Sequence, residues 1–339
     1  MNIQELENIA GSLVAESRGI LAADESTSTI KRRFDAIGVE NSLENRRRYR
    51  ELLFLTPDIG RYISGVILFD ETLRQSTAGG ELFTAVLNHR GVIPGIKVDA
   101  GAHPLAGFPG ESITEGIDRL SERLGEYRAL GARFAKWRAV LSVSDTLPSR
   151  TAIESNAEML ARYAALCQVH DLVPIVEPEV LMDGAHALER AQEVTGATLA
   201  RVFERLDAHR VHLEGIILKP NMVLSGYDRR PAASEIAVAT ATLQCLKRHV
   251  PGAVPGIAFL SGGQSESAST LHLNQMNRQQ SLPWKLSFSF GRALQQSALA
   301  AWRGLEANVP AAQAAFAKRA RLNSLACAGQ YDPSLEQAK

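Results

Sequence analysis

Eight short apolar runs recur along the chain, and longer stretches with helical periodicity lie between them. The runs cover residues 18–24, 63–70, 92–99, 132–138, 172–179, 213–219, 256–263 and 284–292. Strand-type runs that alternate with helices predict parallel strands joined by crossover helices. Eight such units favour a closed barrel, and no GxGxxG follows the first run, which argues against a dinucleotide-binding sheet. We therefore predict an α/β fold, a single (β/α)8 TIM barrel over residues 1–339, with an additional N-terminal helix and a C-terminal tail at 320–339.

The composition is that of an ordinary globular protein without a strong charge. The chain has 37 Lys+Arg and 37 Asp+Glu, so electrostatics gives no reason to expect nucleic acid or an anionic membrane as a partner. No run reaches the roughly 20 apolar residues of a membrane span, and the N-terminus does not read as a signal peptide. Cys167, Cys245 and Cys327 lack the spacing of a disulfide framework or a zinc site. These observations predict a cytoplasmic location.

Polar residues collect where the predicted strands end. They are Asp24, Asp70, Asp99, Arg138, Glu179, Lys219, Ser261 and Arg292. Barrel enzymes assemble their active sites at this C-terminal face. One charged residue at a strand end is commonplace because strands often stop in solvent, but a ring of them predicts an active site.

Residues two apart in a strand point to the same side of the sheet. The pairs that share a face are therefore Lys97 with Asp99, Lys136 with Arg138, and Glu177 with Glu179. Side chains with charge are rarely buried unless they are paired or functional. If these faces point into the barrel, lysines and carboxylates converge there, although a purely structural ion-pair network is the alternative for each pair.

The stretch EGIILKPNMV, residues 214–223, places Lys219 at the end of an apolar run. A lysine amine becomes a nucleophile when burial or a nearby cation disfavours its charged form. The apolar run would bury Lys219, Lys136 would be the cation, and Glu177 could carry protons. This set suits imine chemistry, in which an amine attacks a ketone and an adjacent carbon–carbon bond breaks. Taken alone, a lysine before proline is more often an exposed surface residue.

Two segments suit phosphate binding at the last two strand ends. They contain Ser261, Gly262 and Gly263 in FLSGGQSE, and Ser289, Gly291 and Arg292 in SFSFGRA. Paired glycines let backbone N–H groups approach an oxyanion, and arginine binds phosphate through two parallel hydrogen bonds. Barrel enzymes frequently hold phosphate after their seventh and eighth strands. A Ser-Gly-Gly sequence alone would be an ordinary turn.

A second anion site is suggested by ESTSTIKRR, residues 25–33. Hydroxyls of Ser26 and Thr29 precede a basic run that includes Arg33, and a helix that begins there could hold an anion at its N-terminus. A serine cap followed by a solvated basic face explains the same sequence equally well.

The motifs ILAADEST, GIKVDAG, FAKWRAVL, VPIVEPE, LKPNMV, FLSGGQSE, SFSFGRALQ and NSLAC together resemble class I fructose-bisphosphate aldolase. They keep the order of that family from Arg18 to about Tyr331. The resemblance implies a TIM barrel that reversibly cleaves fructose 1,6-bisphosphate into dihydroxyacetone phosphate and glyceraldehyde 3-phosphate. It also implies a homotetramer that needs no metal or other cofactor.

The resemblance further implies a role for individual residues. Lys219 would form the Schiff base, Glu177 would act as acid and base on the imine with Lys136 and Glu179 beside it, and Asp24 would take the hydroxyl proton that drives cleavage. The 1-phosphate site would contain Ser261, Gly262, Ser289, Gly291 and Arg292. The 6-phosphate site would contain Ser26, Thr29, Arg33 and Arg138, with Lys97 close to it and Arg46 on the substrate side.

Two departures from the family pattern bear on these expectations. Ser28 stands where the family has a glycine, which could alter how the 6-phosphate end is handled. The sequence ends at Lys339 without the terminal tyrosine that animal and plant members use to protonate the enamine, and Tyr331 is too early to be its equivalent. We therefore expect either that another group or water takes that step, or that turnover is limited there.

Three other functions remain alternatives. A Schiff-base aldolase that prefers a monophosphorylated ketose would use the same residues. A non-catalytic sugar-phosphate-binding scaffold is disfavoured because Lys219, Lys136, Glu177 and Asp24 are all present. A metal-dependent aldolase is disfavoured because the eight histidines form no cluster of plausible ligands in the sequence.

Overall fold

The structure, a computed structural model, describes residues 1–15, 17–279 and 282–337. Its strands are β1 (Gly19–Ala23), β2 (Ile63–Leu68), β3 (Ile93–Lys97), β4 (Gly101–Pro104), β5 (Ser112–Glu115), β6 (Phe134–Leu141), β7 (Val173–Val180), β8 (Ile217–Leu218), β9 (Gly256–Phe259) and β10 (Lys285–Phe290). Eight of these described strands close a parallel barrel in the order β1-β10-β9-β8-β7-β6-β3-β2, and β4 and β5 form an antiparallel pair. Each of the eight predicted runs overlaps one barrel strand, so the predicted TIM barrel is confirmed.

The described helices surround this barrel, except for the N-terminal one. They are α1 (Ile3–Leu13), α2 (Thr27–Asp35), α3 (Leu43–Phe54), α4 (Asp70–Leu73), α5 (Phe83–His89), α6 (Leu120–Ala129), α7 (Arg150–Val169), α8 (Leu188–Ala208), α9 (Glu235–His249), α10 (Glu266–Asn277), α11 (Arg292–Trp302) and α12 (Val309–Cys327). Short 3-10 helices lie at Ile59–Arg61, Leu213–Gly215, Glu306–Asn308 and Pro333–Glu336. No helix in these parts of the chain is long and apolar enough to cross a membrane.

Serine residues begin several of the helices. The hydroxyls of Ser26, Ser42, Ser149, Ser234 and Ser265 each accept a hydrogen bond from the backbone N–H three residues later, ahead of α2, α3, α7, α9 and α10. Such caps satisfy backbone donors that the first helical turn leaves unpaired. Each cap therefore fixes where its helix begins.

The segment expected to be a C-terminal tail begins inside a helix. Residues 320–327 belong to α12, so the chain leaves the helical layer only at Ala328. The residues that follow pack back onto the protein, since Tyr331 is buried and its N–H donates to Asn274 Oδ1 at 2.9 Å. Lys339, the last residue of the predicted tail, lies outside the described residues.

The interior of the barrel is apolar at its N-terminal end. The inward side chains of the strands form one buried cluster with α1 and the residue after it, comprising Leu6, Ala10, Leu13, Val14, Ile20, Ala22, Ile67, Phe134, Val173, Ile175, Ile217 and Ala258. The predicted N-terminal helix therefore closes this end of the barrel. The outward faces of the same strands pack against the surrounding helices in a second, larger cluster.

Strand β6 shows how the interior changes from floor to mouth. Phe134, Lys136 and Arg138 alternate inward, and their exposed fractions rise from 0% to 5% to 43%. The ring of Phe134 fills the space left by Gly95 on β3, where an added Cβ would lie 2.2 Å from the ring. The barrel thus has an apolar floor, a charged middle layer and an open mouth at the C-terminal ends of its strands.

Candidate active site

Four charged side chains meet in the middle layer of the barrel. The Lys136 Nζ lies 2.7 Å from Asp24 Oδ2 and 3.3 Å from Glu177 Oε2. The Lys219 Nζ lies 3.2 Å from Glu177 Oε1, and both of these side chains are only 4% exposed. Each oxygen of the Glu177 carboxylate therefore faces one of the two lysine amines. The sequence predicts Asp24 and Lys219 at strand ends and Lys136 and Glu177 on inward strand faces, and the structure brings all four together.

Burial and charge act in opposite directions on this group. Burial by itself raises the pKa of Asp24, but the positive charges of Lys136 and Lys219 outweigh it and hold that pKa well below its usual value. Burial by itself lowers the pKa of Lys136, but the carboxylates of Asp24 and Glu177 raise it overall. At neutral pH Asp24 is therefore an ionised acceptor of protons, and Lys136 is a fixed positive charge beside it.

The LKPNMV motif fixes the position of Lys219 at its strand end. The Lys219 N–H donates to Val176 O at 2.8 Å, which continues the pairing of β8 with β7 by one residue. Pro220 has no N–H to leave unpaired, and its carbonyl accepts from Leu260 N at 3.1 Å. Asn221 Oδ1 accepts from Val180 N at 3.0 Å. The proline and asparagine that follow the lysine thus tie the end of β8 to both neighbouring strands.

A second layer of ion pairs lies nearer the mouth. The Lys97 Nζ is 2.7 Å from Asp99 Oδ1, and Asp99 Oδ2 accepts from the backbone N–H of Arg138 at 3.3 Å. The Arg138 guanidinium donates to the Glu179 carboxylate. Burial lowers the pKa of Arg138, but the charge of Glu179 and the bond to it raise it overall. Glu179, expected beside Glu177, is therefore paired with Arg138 and not with the central lysines.

The two segments expected to bind the 1-phosphate lie against each other. Gly262 and Gly263 have φ angles of +60° and +98°, in the left-handed region that favours glycine. An added Cβ on Gly263 would lie 3.0 Å from Arg292 Nη2, at the start of α11. The Ser289 hydroxyl is buried and has no hydrogen-bond partner within the described residues. The site therefore combines an arginine, a glycine turn and a free hydroxyl.

An open cavity of about 720 Å³ joins this region to the segment expected to bind the 6-phosphate. Its lining includes the polar residues Thr29, Arg32, Arg33, Arg138, Arg292, Gln295 and Gln296. Ser26 instead caps α2, and its hydroxyl contacts those of Ser28 and Thr29 at 3.1 Å. Gly291 lies beside the cavity, since an added Cβ there would be 3.8 Å from Arg33 Nη2. The cavity thus joins four of the arginines in one continuous space.

Two residues differ from the sequence expectation in this region. Arg32 lines the cavity although it is absent from the predicted 6-phosphate site, and its position on the same helix as Thr29 and Arg33 is the signal that could have indicated it. Arg46, expected on the substrate side, is held by two bonds of 2.7 Å to the Glu71 carboxylate and by Asn41. It is not among the residues that line the cavity.

A buried carboxylate next to Asp24 supports these arginines. Glu25 pairs with Arg33 and, at 2.5 Å, with Arg50, and it also accepts from Gln295 Nε2 at 3.0 Å. Burial raises the pKa of Glu25, but the two guanidinium groups lower it overall. The Glu25 and Arg50 side chains are each only 4% exposed, so burying either charge without the other would lower the free energy of unfolding.

Glu25→Gln is therefore expected to lower the free energy of unfolding by about 3–5 kcal/mol, because Arg50 would lose a buried counter-charge. Asp35→Asn, which removes the partner of the exposed Lys31, should cost less than about 1 kcal/mol. Because the pKa of Glu25 is lower in the folded than in the unfolded state, its ionised form stabilises the fold at pH values above the unfolded pKa. This stabilisation is lost as the pH falls towards the folded pKa. Urea unfolding at neutral and acid pH checks both points, and equal stability of the two variants would contradict the first.

Within the described ranges, no group of three or more histidine, cysteine, aspartate or glutamate side chains is arranged to hold a metal ion. The chemistry available from the described side chains is that of a buried amine, a carboxylate that contacts two amines, and an ionised carboxylate close by. This combination is suited to imine formation and proton transfer on a substrate with anionic ends.

Comparison with known proteins agrees with the resemblance in the motifs. A family model for class-I fructose-bisphosphate aldolase, described as glycolytic, matches residues 5–339. The chain is 54% identical over 332 residues to a probable fructose-bisphosphate aldolase class 1 of Xanthomonas campestris, covering 98% of this chain and 99% of that protein. It is 55% identical over 328 residues to fructose-bisphosphate aldolase B of Gallus gallus, covering 96% and 90%. A solved structure of fructose-bisphosphate aldolase from Plasmodium falciparum, in complex with TRAP and a small molecule inhibitor, superposes with a TM-score of 0.96 at 48% identity, covering 97% of this chain and 95% of that one.

Proposed function

The chain belongs to the class I fructose-bisphosphate aldolase family of glycolytic lyases, and from this premise we propose that it cleaves fructose 1,6-bisphosphate through a Schiff base on Lys219. The observation that carries the proposal is the contact of 3.2 Å between the Lys219 amine and the Glu177 carboxylate inside the barrel. It puts a nucleophile next to a proton carrier, in a place that solvent barely reaches.

In the first stage, the Lys219 ammonium gives a proton to Glu177, and the neutral amine that results attacks the ketone carbon of the substrate. As the nitrogen bonds to carbon, its second proton moves to the former carbonyl oxygen to form a hydroxyl group. Glu177 then returns the first proton to this hydroxyl group, which leaves as water. The carboxylate can do both because one oxygen faces Lys219 while the other stays beside the positive charge of Lys136. The product of this stage is a protonated imine that withdraws electrons from the neighbouring carbons.

In the second stage, Asp24 accepts the proton of the C4 hydroxyl as the C3–C4 bond breaks. The electrons of that bond move into the imine to form an enamine, and glyceraldehyde 3-phosphate leaves. The lowered pKa of Asp24 supports this role because the group is ionised and ready to accept a proton at neutral pH. Protonation of the enamine carbon and hydrolysis of the imine then release dihydroxyacetone phosphate and restore Lys219.

The two phosphate groups would bind in separate regions near the mouth of the barrel. Support for the 1-phosphate site is the buried hydroxyl of Ser289, which has no hydrogen-bond partner among the described residues, together with the glycine turn beside Arg292. Support for the 6-phosphate site is the cavity that Thr29, Arg32, Arg33 and Arg138 line together. Lys97 belongs to this second region through its link to Asp99 and from there to Arg138.

Arg33→Ala should lower kcat/KM for fructose 1,6-bisphosphate by about 10- to 100-fold, the scale of one charge-assisted hydrogen bond. It should change kcat/KM for fructose 1-phosphate by less than about twofold. Lys31→Ala, on the same helix but paired with Asp35 in solvent, is the matched control and should behave as wild type. A coupled NADH assay measures all three proteins, with EDTA added as an arm that should leave activity unchanged.

The same assay separates the remaining alternatives. A wild-type kcat/KM that is higher for fructose 1-phosphate would favour an aldolase of monophosphorylated ketoses. Cleavage of neither substrate would favour a sugar-phosphate-binding scaffold. The proposal also includes a cytoplasmic location and a homotetramer, which rest on the resemblance to the family, and sedimentation equilibrium tests the second.

A further inference from the structure

We propose that Gln264 and His272 form a positioning pair that fixes the loop of residues 261–263, which would hold the 1-phosphate of the substrate. The inference rests on the proposed function, because it concerns the phosphate site named there. Neither residue would touch the substrate. His272 lies on α10 and Gln264 lies between the loop and that helix, and both are buried.

Gln264 binds the carbonyl of Ser261 twice. Its backbone N–H donates to Ser261 O at 3.0 Å, and its side-chain Nε2 donates to the same oxygen at 3.1 Å. A carbonyl oxygen only accepts hydrogen bonds, so the amide must present its nitrogen to Ser261. The other end of the amide, Oε1, therefore faces His272.

The ring of His272 is held in one tautomer by this contact. Its Nδ1 lies 2.6 Å from Gln264 Oε1, and an amide oxygen accepts only, so Nδ1 carries the proton and donates it. Burial lowers the pKa of His272 to about 4 against the small opposing effect of the Glu235 charge. At neutral pH the ring thus has one proton, and that proton is committed to Gln264. The ring fixes the amide, and the amide fixes the loop.

The loop is restrained from a second direction as well. The Tyr227 hydroxyl donates to Gly262 O at 2.9 Å. The carbonyl oxygens of Ser261 and Gly262 thus both accept hydrogen bonds from protein donors. The two glycines of this loop are in left-handed conformations, and glycine can adopt other backbone conformations as readily. A free carbonyl oxygen would repel a phosphate, whereas the N–H groups of such a loop attract it. Holding both carbonyls therefore preserves a surface that binds an anion.

The test compares His272→Leu with His272→Asn. Leucine fills the space but cannot donate, whereas the asparagine amide can donate to Gln264 Oε1 from nearly the same place as Nδ1. The KM values for fructose 1,6-bisphosphate and for fructose 1-phosphate should both rise about five- to tenfold in His272→Leu, with kcat within about twofold. Both KM values should return close to wild type in His272→Asn. The two substrates share the 1-phosphate, so an effect on that site must change both equally.

Thr270→Val is the matched control for general damage to the helix. Thr270 is buried on α10 and bonds to Asn323 and Arg319 instead of Gln264. Its replacement should lower the thermal midpoint about as much as His272→Leu does, while leaving both KM values unchanged. An equal rise of KM in both variants would overturn the inference, since it would show a loosening of the whole helix.

Ser261→Ala separates failure of the inference from failure of the proposed function. If Ser261→Ala raises both KM values and His272→Leu does not, the positioning pair is wrong and the phosphate site stands. If neither variant changes KM, the proposed phosphate site is wrong and the inference falls with it. A rise for the bisphosphate alone would also overturn the inference, because it would point to the opposite end of the substrate.

Discussion

Lys219→Met should abolish aldol cleavage, with a fall in kcat of about 100,000-fold, the scale seen when the nucleophile of a covalent mechanism is removed. Methionine keeps a stem of similar volume in a site where the lysine side chain is only 4% exposed, so the barrel should remain folded. The coupled cleavage assay measures the loss, and circular dichroism checks the fold. Lys285→Met, at an exposed position at the start of β10, is the control and should retain full activity.

Covalent trapping identifies the amine directly. Borohydride with dihydroxyacetone phosphate should reduce the imine, inactivate the protein and leave one adduct on Lys219, which peptide mass spectrometry locates. Lys219→Met should give no adduct. An adduct on Lys136, the other buried lysine of the middle layer, would contradict the proposed mechanism. It would show that Lys136, and not Lys219, is the nucleophile.

Asp24→Asn should separate bond cleavage from imine formation. Asparagine has the shape of aspartate but accepts no proton, so kcat for cleavage should fall by about 100- to 10,000-fold, the usual contribution of a general base. Imine formation relies on Glu177 in our mechanism, so borohydride trapping of dihydroxyacetone phosphate on Lys219 should persist. The rate of trapping and the rate of cleavage are measured on the same preparation.

Glu177→Gln is the matched comparison for Asp24→Asn. It also replaces a buried carboxylate that contacts Lys136, but here the trapping reaction itself should slow along with cleavage. If trapping fails in Asp24→Asn and survives in Glu177→Gln, the two carboxylates have been assigned the wrong way round. Both variants weaken ion pairs of the same lysine, so a general effect on stability would change them alike.

The alternation of residues in strands explains why much of the site could be predicted. Lys136 and Arg138, or Glu177 and Glu179, must share a face whatever surrounds them, and the closed barrel turns that face inward. Contacts between side chains on different strands are harder to predict from the sequence. The sequence predicts Lys136 as the cation near Lys219, and the structure adds that the Glu177 carboxylate contacts both amines, one at each oxygen.

Contacts between helices and loops could not be predicted at all. Arg46 resembles a substrate-side arginine in sequence, but its partner Glu71 comes from α4, and only the packing of α3 against that segment makes the pair. His272 has no motif of its own, and its link to Gln264 depends on where α10 lies beside the loop. Such contacts join residues whose spacing along the chain carries no periodic signal.

Helix α1 closes the N-terminal end of the barrel, and this affects the order of events during turnover. In the proposed mechanism, apolar side chains of the described residues close the N-terminal end, so water that hydrolyses the imine would arrive at the opening through which the sugar enters. A molecule that occupies the opening therefore also shields the imine from hydrolysis. If the proposed Schiff base forms, its lifetime would depend on when the aldehyde leaves this opening, and release of the ketone would wait for that departure.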